Sequence, residues 1–440
     1  MMIRTIEASL NEDYTHPIRD VLWGHIYMTE ELAQLTKSAS FLRLNRIMQL
    51  GPVYLVYPGA THTRASHSIG VYHIGRRLLQ NLAERGASSW LTQEGVKSFL
   101  AACLLHDLGH FPYTHSLKEL SLATHEALTG EIILKEPMKS LVGAAGADPA
   151  LTAAIIDKDM TPSSDERLKG EPLTGELLFY RKLLSGALDP DKLDYLNRDA
   201  RYCGVPYGAQ DVDFILSRIY PEKNRGADID SRLIPNVESL LFSKYMMYRT
   251  VYWHKQVRAA TAMVKKALIN SLETGKFSGE SLYNLDDTGL FNLFTGKNTT
   301  DSLIHAVREG RIFITAAEIS YKNVDLTVLR KIKQRSQLEE ELACRLRANG
   351  LEIMAEDIII DIPEPISFET GLYVFDENCS FSESSSAFKT ETVEAFIQTL
   401  YTIRVYFNQK YKESIKTFSD LYCIIKEIMK EKDNGHSQYQ

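Results

Sequence analysis

The chain has few cysteines, no long apolar run and no excess of basic charge. The five cysteines among its 440 residues are scattered and form no CxxC pair, a pattern that argues against a zinc ribbon or a disulfide framework and predicts reduced thiols. No apolar run reaches about 18 residues, so we expect no membrane span. A formal net charge of −7 argues against a surface that binds nucleic acid. These absences predict a cytoplasmic protein with neither a membrane nor a nucleic-acid partner.

Histidine, by contrast, is concentrated in one part of the chain. Seven of the twelve histidines lie between residues 62 and 125, a window of 64 residues. One of them, His106, is followed directly by Asp107. Imidazole and carboxylate ligands together suit a divalent metal such as Fe, Mn, Ni or Zn. The window therefore predicts a metal site.

Helical spacing places these residues near the protein interior. In the segment Thr92–Asp107, Thr92 is a suitable N-cap, and the apolar stripe of the helix continues to His106. A second helix, Ser66–Arg85, begins beside His67. A carboxylate buried beside imidazoles is costly without a partner, and a metal ion would supply one.

A fourth ligand should come from elsewhere in the chain. A helix is predicted from Pro190 to Cys203, with Asp189 as N-cap and Gly204 as its terminator. Its polar face carries Asp191, which is the best candidate for that ligand.

The coarse organisation is mostly α, with a helical core and a C-terminal α+β part that holds a small antiparallel sheet. We expect a catalytic core over residues 1–275 (motifs in 49–130 and 188–255) and an oligomerisation or regulatory region over 276–440. One long helix is predicted at 239–272, short strands at 357–375 and an amphipathic helix at 391–416.

Four motifs and the order of the four candidate ligands, His67, His106–Asp107 and Asp191, resemble the HD-domain phosphohydrolases. The motifs are YPGATHTRASHSIGVYHIG (57–75), LLHDLGHFPYTHS (104–116), THEALTG (124–130) and LDPDKLDYLNRDARYCGV (188–205). They are most similar to the branch that hydrolyses deoxynucleoside triphosphates (dNTPs) and includes the mammalian SAM- and HD-domain enzyme. The resemblance covers roughly residues 15–270.

The resemblance implies a reaction and its residues. A dNTP would be cleaved to deoxynucleoside and inorganic triphosphate by a metal-activated water that attacks the α-phosphate. The ligands of one divalent ion (Fe, Mn, Ni, Zn or Mg, not distinguished) would be His67, His106, Asp107 and Asp191, and the nucleotide can bring its own Mg²⁺. His115 would be the general acid for the departing 5′ oxygen, supported by His110 and His125.

The resemblance also implies substrate contacts, which fall into three groups. Those for phosphate are Arg64, Lys192 and Lys255. Those that form the pocket walls and hold the 3′-hydroxyl are Tyr195, Tyr252 and Asp199. Those beside base and sugar are Gln49 and Leu50. In the long predicted helix Tyr252 and Lys255 share one side. A homo-oligomer, dimer or tetramer, and a nucleotide effector are further implied partners.

The chain departs from the family pattern at two places. Lys118, with Glu119 next to it, stands where the mammalian enzyme has an aspartate three positions after the general acid. Lys37, Leu42 and Asn45 stand where that enzyme reads guanine at its activator site, so we do not expect guanine-nucleotide activation of that kind.

The sequence leaves other interpretations open. Lys192 could form an ordinary salt bridge with Asp189, and Tyr252 and Lys255 could be a core tyrosine and a solvated lysine. His110 and His115 could be structural residues at a helix end. At the level of function, the alternatives are an HD enzyme that acts on a different nucleotide and a nucleotide sensor without turnover.

Overall fold

The computed structural model describes residues 5–160, 171–296, 298–320, 331–364, 366–417 and 421–434. The fold is mostly α with small sheets, as predicted. The α-helices are Ile6–Asn11, Glu30–Thr36, Ala39–Leu44, Arg64–Glu84, Gln93–Leu105, His125–Leu134, Met138–Ala144, Pro149–Ile156, Glu171–Leu184, Pro190–Cys203, Val212–Leu216, Ile234–Met247, Lys255–Glu273, Asp287–Asn292, Thr299–Arg308, Ile332–Ala348, Phe381–Ser384, Thr390–Leu400, Lys412–Thr417 and Leu421–Asn434.

Predicted caps fix the ends of two helices near the candidate site. Thr92 accepts a hydrogen bond from the backbone N–H of Gly95 and begins the Gln93–Leu105 helix. Asp189 accepts from the backbone N–H of Lys192, and Gly204, with φ 66°, ends the Pro190–Cys203 helix. These side-chain caps satisfy donors that a helix start leaves unpaired, so the local sequence determines where both helices begin.

Within the described parts of the chain, the strands form three sheets. They are β1 His16–Asp20, β2 Gly24–Met28, β3 Ile219–Glu222, β4 Gly226–Ile229, β5 Ile314–Ser320, β6 Ile358–Asp361, β7 Tyr373–Val374, β8 Cys379–Ser380 and β9 Thr402–Phe407. The predicted small antiparallel sheet of the C-terminal part is confirmed, with strand order β5-β9-β6. A hairpin β1-β2 and a sheet β3-β4-β7-β8, in which β4 and β7 run parallel, were not predicted.

Two long helices predicted from sequence were wrong. The segment 391–416 forms the helix Thr390–Leu400 and then β9, the central strand of its sheet. Residues 402–407 (TIRVYF) are mainly β-branched or aromatic and are mostly buried, so strand pairing prevails over the helical periodicity. The segment 239–272 breaks into Ile234–Met247, a π-helical turn Tyr248–Tyr252 and Lys255–Glu273.

Apolar packing links the two regions expected on either side of residue 275. The Lys255–Glu273 helix contributes Met263 and Leu268 to a buried cluster that also holds Ile304 and Tyr406. A Cβ atom added at Gly75 would lie 2.6 Å from the sulfur of Cys103. The absence of a side chain at Gly75 therefore allows the Arg64–Glu84 and Gln93–Leu105 helices to pack closely. The boundary itself stays a prediction. Among the described residues, no helix is long and apolar enough to span a membrane.

Candidate metal centre

Three helices bring the four predicted metal ligands to one place. His67 lies in the first turn of the Arg64–Glu84 helix, and His106 is the C-cap of the Gln93–Leu105 helix, with Asp107 next in the chain. Asp191 lies in the first turn of the Pro190–Cys203 helix. His67 Nε2 is 2.9 Å from Asp191 Oδ1, and His106 Nε2 is 3.4 Å from Asp107 Oδ1 and 3.9 Å from Asp191 Oδ1.

One atom of this group has no hydrogen-bond partner. The Nδ1 atom of His106 contacts the carbonyl oxygen of Cys103 at 3.0 Å, which leaves its lone pair on Nε2. That Nε2 is buried and unpartnered. A buried nitrogen lone pair is costly unless something binds it. With ligand atoms of His67, His106 and Asp107 all within 4.8 Å of one another, these residues fit a divalent cation.

The other side of His67 is held by a buried carboxylate. Its Nδ1 lies 2.9 Å from Asp194 Oδ2. Burial alone would lower the pKa of His67, but the hydrogen bonds to Asp191 and Asp194 outweigh it and raise that pKa to about 10. A carboxylate that holds the far nitrogen of a ligand histidine fixes the ring orientation and increases its basicity.

Asp194 is itself fixed from three directions. It accepts hydrogen bonds from Trp23 Nε1 and from two nitrogens of Arg198, and Arg198 donates in turn to Asp20 at 2.9 Å. Arg198 and Asp194 are fully buried. The favourable charge of Arg198 offsets the cost of burying Asp194 and keeps its pKa low, at about 2. The Asp194 carboxylate that contacts His67 is therefore held in place by Trp23 and Arg198.

Asp107 has positive or polar partners on both oxygens. Arg64 Nη1 donates to one oxygen at 2.8 Å, and His110 Nε2 lies 3.0 Å from the other. Although burial acts to raise the pKa of Asp107, the neighbouring imidazoles of His110 and His106 and the guanidinium of Arg64 hold it well below the usual value. Similarly, His67 lowers the pKa of Asp191 against the effect of burial. Both carboxylates are therefore ionised, as metal binding requires.

Behind Asp107 lie the three histidines predicted to handle protons. The rings of His110 and His125 stack at 3.9 Å, and the ring of His115 lies 4.8 Å from His110 and 5.2 Å from His125. His115 lines a cavity. Desolvation by the surrounding protein, together with the neighbouring His125 and Arg64, lowers its pKa. In the ligand-free protein His115 is thus a neutral base at pH 7.

The predicted sugar-binding residues form a hydrogen-bonded row. Asp199 is 1% exposed, lies 2.8 Å from His62 Nε2 and accepts a hydrogen bond from the hydroxyl of Tyr252 at 2.6 Å. His62 stacks on Tyr202 at 4.6 Å. His62 therefore has a defined partner, where sequence reasoning assigned it no role.

The predicted phosphate-binding residues separate into two groups. Arg64 and Lys192 line the cavity. Lys192 is bonded to Asp189 Oδ2 at 2.7 Å and to the carbonyl of Gly186 at 3.0 Å, so the predicted alternative of a salt bridge exists in the ligand-free protein. Lys255 is exposed and begins the helix after the break at His254, so it does not share a helix face with Tyr252. The predicted shared face was wrong.

Every site residue predicted from the sequence except Lys255 lines one cavity of about 770 Å³. Its walls include the metal-ligand candidates, the three histidines, Gln49, Leu50, Tyr195, Asp199 and Tyr252. They also include groups that the sequence analysis passed over: Lys244, Tyr248, Arg258, Asp287, Glu364 and Glu369. The C-terminal region thus contributes Pro363, Glu364, Ile366 and Glu369 to the wall of a cavity otherwise lined by residues between Ile47 and Asp287.

A local signal existed for one missed residue. Asp194 lies three positions after Asp191 on the same helix, so both carboxylates can reach His67. For Lys244, Glu364 and Glu369 no local pattern marks a site, since they come from distant segments.

Two family models match the chain. The HD domain matches residues 64–178, and the HD associated region matches residues 223–434. An uncharacterized protein of Methanocaldococcus jannaschii, MJ1154, is 30% identical over 364 residues, which are 82% of this chain and 72% of that protein. The chain spans 54% to 55% of the length of three further bacterial relatives.

A cattle protein and a solved structure extend the comparison. The deoxynucleoside triphosphate triphosphohydrolase SAMHD1 of Bos taurus is 24% identical over 394 residues, 80% of this chain and 67% of that protein. The crystal structure of a phosphohydrolase from Bacteroides thetaiotaomicron superimposes with a TM-score of 0.66 at 20% identity, covering 89% of this chain and 99% of that one. At that identity the structural likeness establishes the fold alone.

Proposed function

The chain belongs to the HD domain family, and from that premise we propose that it hydrolyses dNTPs to deoxynucleoside and inorganic triphosphate. The observation that carries the proposal is the buried group His67, His106, Asp107 and Asp191, with the unpartnered Nε2 of His106, at the wall of a cavity large enough for a nucleotide. The relatives named SAMHD1 support the choice of substrate.

The four ligand candidates would hold one divalent cation. When bound, such a cation polarises a phosphoryl oxygen and lowers the pKa of a water. The remaining tasks fall to side chains of this chain. Arg64 and Lys192 offset the charge of the phosphates, and the Asp199–Tyr252 pair presents hydrogen-bonding groups for the sugar.

His115, with His110 and His125 beside it, would supply the proton for the departing 5′ oxygen. Water adds to the α-phosphorus, the bond from phosphorus to the 5′ oxygen breaks, and that oxygen takes a proton from His115. His115 is neutral in the ligand-free protein because its pKa is lowered. The negative charge of a bound triphosphate raises the pKa of a nearby imidazole. His115 therefore gains its proton as the substrate enters and gives it to the leaving group.

The domain and assembly predictions belong to the same proposal. The HD core of residues 1–275 would carry the chemistry, and residues 276–440 would carry assembly or regulation in a homo-oligomer. The contribution of Pro363, Glu364, Ile366 and Glu369 to the cavity wall supports a regulatory role for the second region.

The direct test is a product analysis. Purified protein is incubated with each dNTP and, in turn, with Fe²⁺, Mn²⁺, Ni²⁺, Zn²⁺ or Mg²⁺, and the products are separated by anion-exchange chromatography. We expect equal amounts of deoxynucleoside and triphosphate. Asp107→Ala serves as the inactive control. Absence of triphosphate under every metal would reject the proposal, and tight nucleotide binding without product would favour a sensor.

A further inference from the structure

A carboxylate from the C-terminal region sits between two lysines of the cavity. Glu369 Oε2 lies 2.9 Å from Lys244 Nζ and 3.9 Å from Lys192 Nζ. Its other oxygen accepts a hydrogen bond from Ser367 Oγ at 3.0 Å. Glu369 therefore takes the position that an anionic ligand would occupy if it were bound by both lysines.

The three charges differ in their access to solvent. The side chains of Lys244 and Lys192 are only 6% and 12% exposed, whereas that of Glu369 is 37% exposed. All three line the same cavity as His67, His106 and Asp107. The lysines are thus fixed in the wall, and the carboxylate is the one member of the group that can exchange with solvent.

The two lysines also depend on Glu369 to different degrees. Lys192 has a second carboxylate, Asp189, at 2.7 Å. Lys244 has the carbonyl oxygen of Ser367 at 2.8 Å, the ring of Phe368 at 5.4 Å and, among the described residues within salt-bridge distance, only the carboxylate of Glu369. A nearly buried ammonium needs an opposite charge. Glu369 supplies it in the ligand-free protein, and a phosphate could supply it in the complex.

The carboxylate has room to withdraw. Glu369 also borders a second cavity of about 270 Å³, together with Gly371, Leu372 and Asp189. It therefore stands in the wall between the two cavities, and no atom lies within 4 Å of the place where a Cβ on nearby Gly371 would project. Movement of the Glu369 side chain toward the second cavity would free both ammonium groups without a change in the helices.

We propose that Glu369 is a displaceable counter-ion, which the outer phosphates of a polyphosphate ligand replace on Lys244 and Lys192 and which recovers the lysines when the polyphosphate leaves. This inference rests on the proposed function for the identity of the ligand. Its consequence is weaker retention of the triphosphate product, since Glu369 competes with that product for the same two charges.

The test measures binding of inorganic tripolyphosphate to the full chain by calorimetry, without turnover. Glu369→Gln keeps the size of the side chain and leaves Lys244 an oxygen acceptor in place of the carboxylate. We expect tripolyphosphate to bind about tenfold more tightly to this variant, the scale of one partly buried ion pair. Binding of a deoxynucleoside monophosphate, which has no outer phosphates, should stay unchanged.

Two further variants make the result specific. Glu391→Gln, an exposed position on the Thr390–Leu400 helix, makes the same change in net charge and should leave binding unchanged. In the Glu369→Gln background, Lys244→Met should remove the gain. Unchanged or weaker tripolyphosphate binding in Glu369→Gln overturns the inference, because a merely structural ion pair predicts that outcome.

The two proposals fail separately. If Glu369→Gln binds tripolyphosphate more tightly but the wild-type protein cleaves no dNTP, the counter-ion inference stands and the proposed reaction fails. If the wild-type protein cleaves dNTPs and the variant shows no gain in binding, the inference alone is rejected.

Discussion

Buried polar groups at the cavity differ in their hydrogen-bond partners from those at the junction behind it. At the cavity, His106 Nε2, His110 Nδ1, Arg64 Nε and Gln49 Oε1 are buried without a hydrogen-bond partner. At the junction between the Lys255–Glu273 helix and the C-terminal region, Lys266 donates hydrogen bonds to the carboxylate of Glu339, at 2.8 Å, and to two carbonyl oxygens.

The difference separates binding groups from structural groups. A buried polar atom without a partner costs free energy in the folded protein, and at the cavity a ligand or a metal ion would supply the missing partner. The junction charges complete one another, and their removal leaves a partner buried and unpaired. We therefore expect substitutions at the cavity to affect activity and substitutions at the junction to affect stability.

The largest effect is expected for His106→Ala. Loss of a metal ligand should lower the rate of dNTP hydrolysis on the order of 10³-fold or more. Because Nε2 has no protein partner, the free energy of unfolding of the metal-free protein should change by no more than about 1 kcal/mol, the value of the single hydrogen bond to Cys103. Product analysis, metal content and urea unfolding measure the three quantities.

An exposed histidine outside the cavity provides the control for this substitution. His25→Ala on β2 should leave all three quantities unchanged. If His106→Ala keeps its metal and its activity, the metal centre is not where the unpartnered atom indicates.

A smaller but still large effect is expected at the junction. Lys266→Met should lower the free energy of unfolding by about 3 kcal/mol, since it leaves the carboxylate of Glu339 buried without its ammonium partner. Urea unfolding measures it. Arg311→Met, which removes an ion pair whose arginine is 63% exposed, should change stability by less than about 0.5 kcal/mol. Equal losses in the two variants would erase the distinction between cavity and junction.

The smallest effect is a pH dependence within the cavity. Burial raises the pKa of Asp287, which accepts a hydrogen bond from the backbone N–H of Met48, to about 6 from its usual value of 3.8. The folded state therefore holds this proton more tightly than the unfolded state. The resulting stabilisation is fully present below pH 3.8 and is lost as the pH rises through about 6.

Asp287→Asn removes that titration. Relative to the wild-type protein, the variant should gain stability between pH 4 and pH 7 and show a constant difference above pH 7, as measured by thermal unfolding in a pH series. Glu391→Gln should show no such trend. A constant difference from pH 4 to pH 7 would mean that Asp287 is not desolvated in the cavity.

Much of the candidate site could be expected from the sequence because its information is local. The caps Thr92 and Asp189 and the terminator Gly204 each depend on neighbours within one helix or turn. The order His67, His106–Asp107 and Asp191 was expected from the resemblance to the HD-domain phosphohydrolases. The two incorrect helix predictions have the same cause. Amphipathic spacing at 391–416 and 239–272 does not reveal that β9 pairs with two strands, or that Tyr248–Tyr252 forms a π-helical turn.

By itself, the sequence determined a mostly helical protein with imidazoles and carboxylates at helix ends, since capping, periodicity and residue chemistry act over a few residues. Only the tertiary structure decided which groups meet. It placed Asp194 behind His67, His62 against Asp199, and Glu369 between Lys192 and Lys244. These contacts join residues up to 177 positions apart. Their formation depends on the packing of the whole core, which no local pattern encodes.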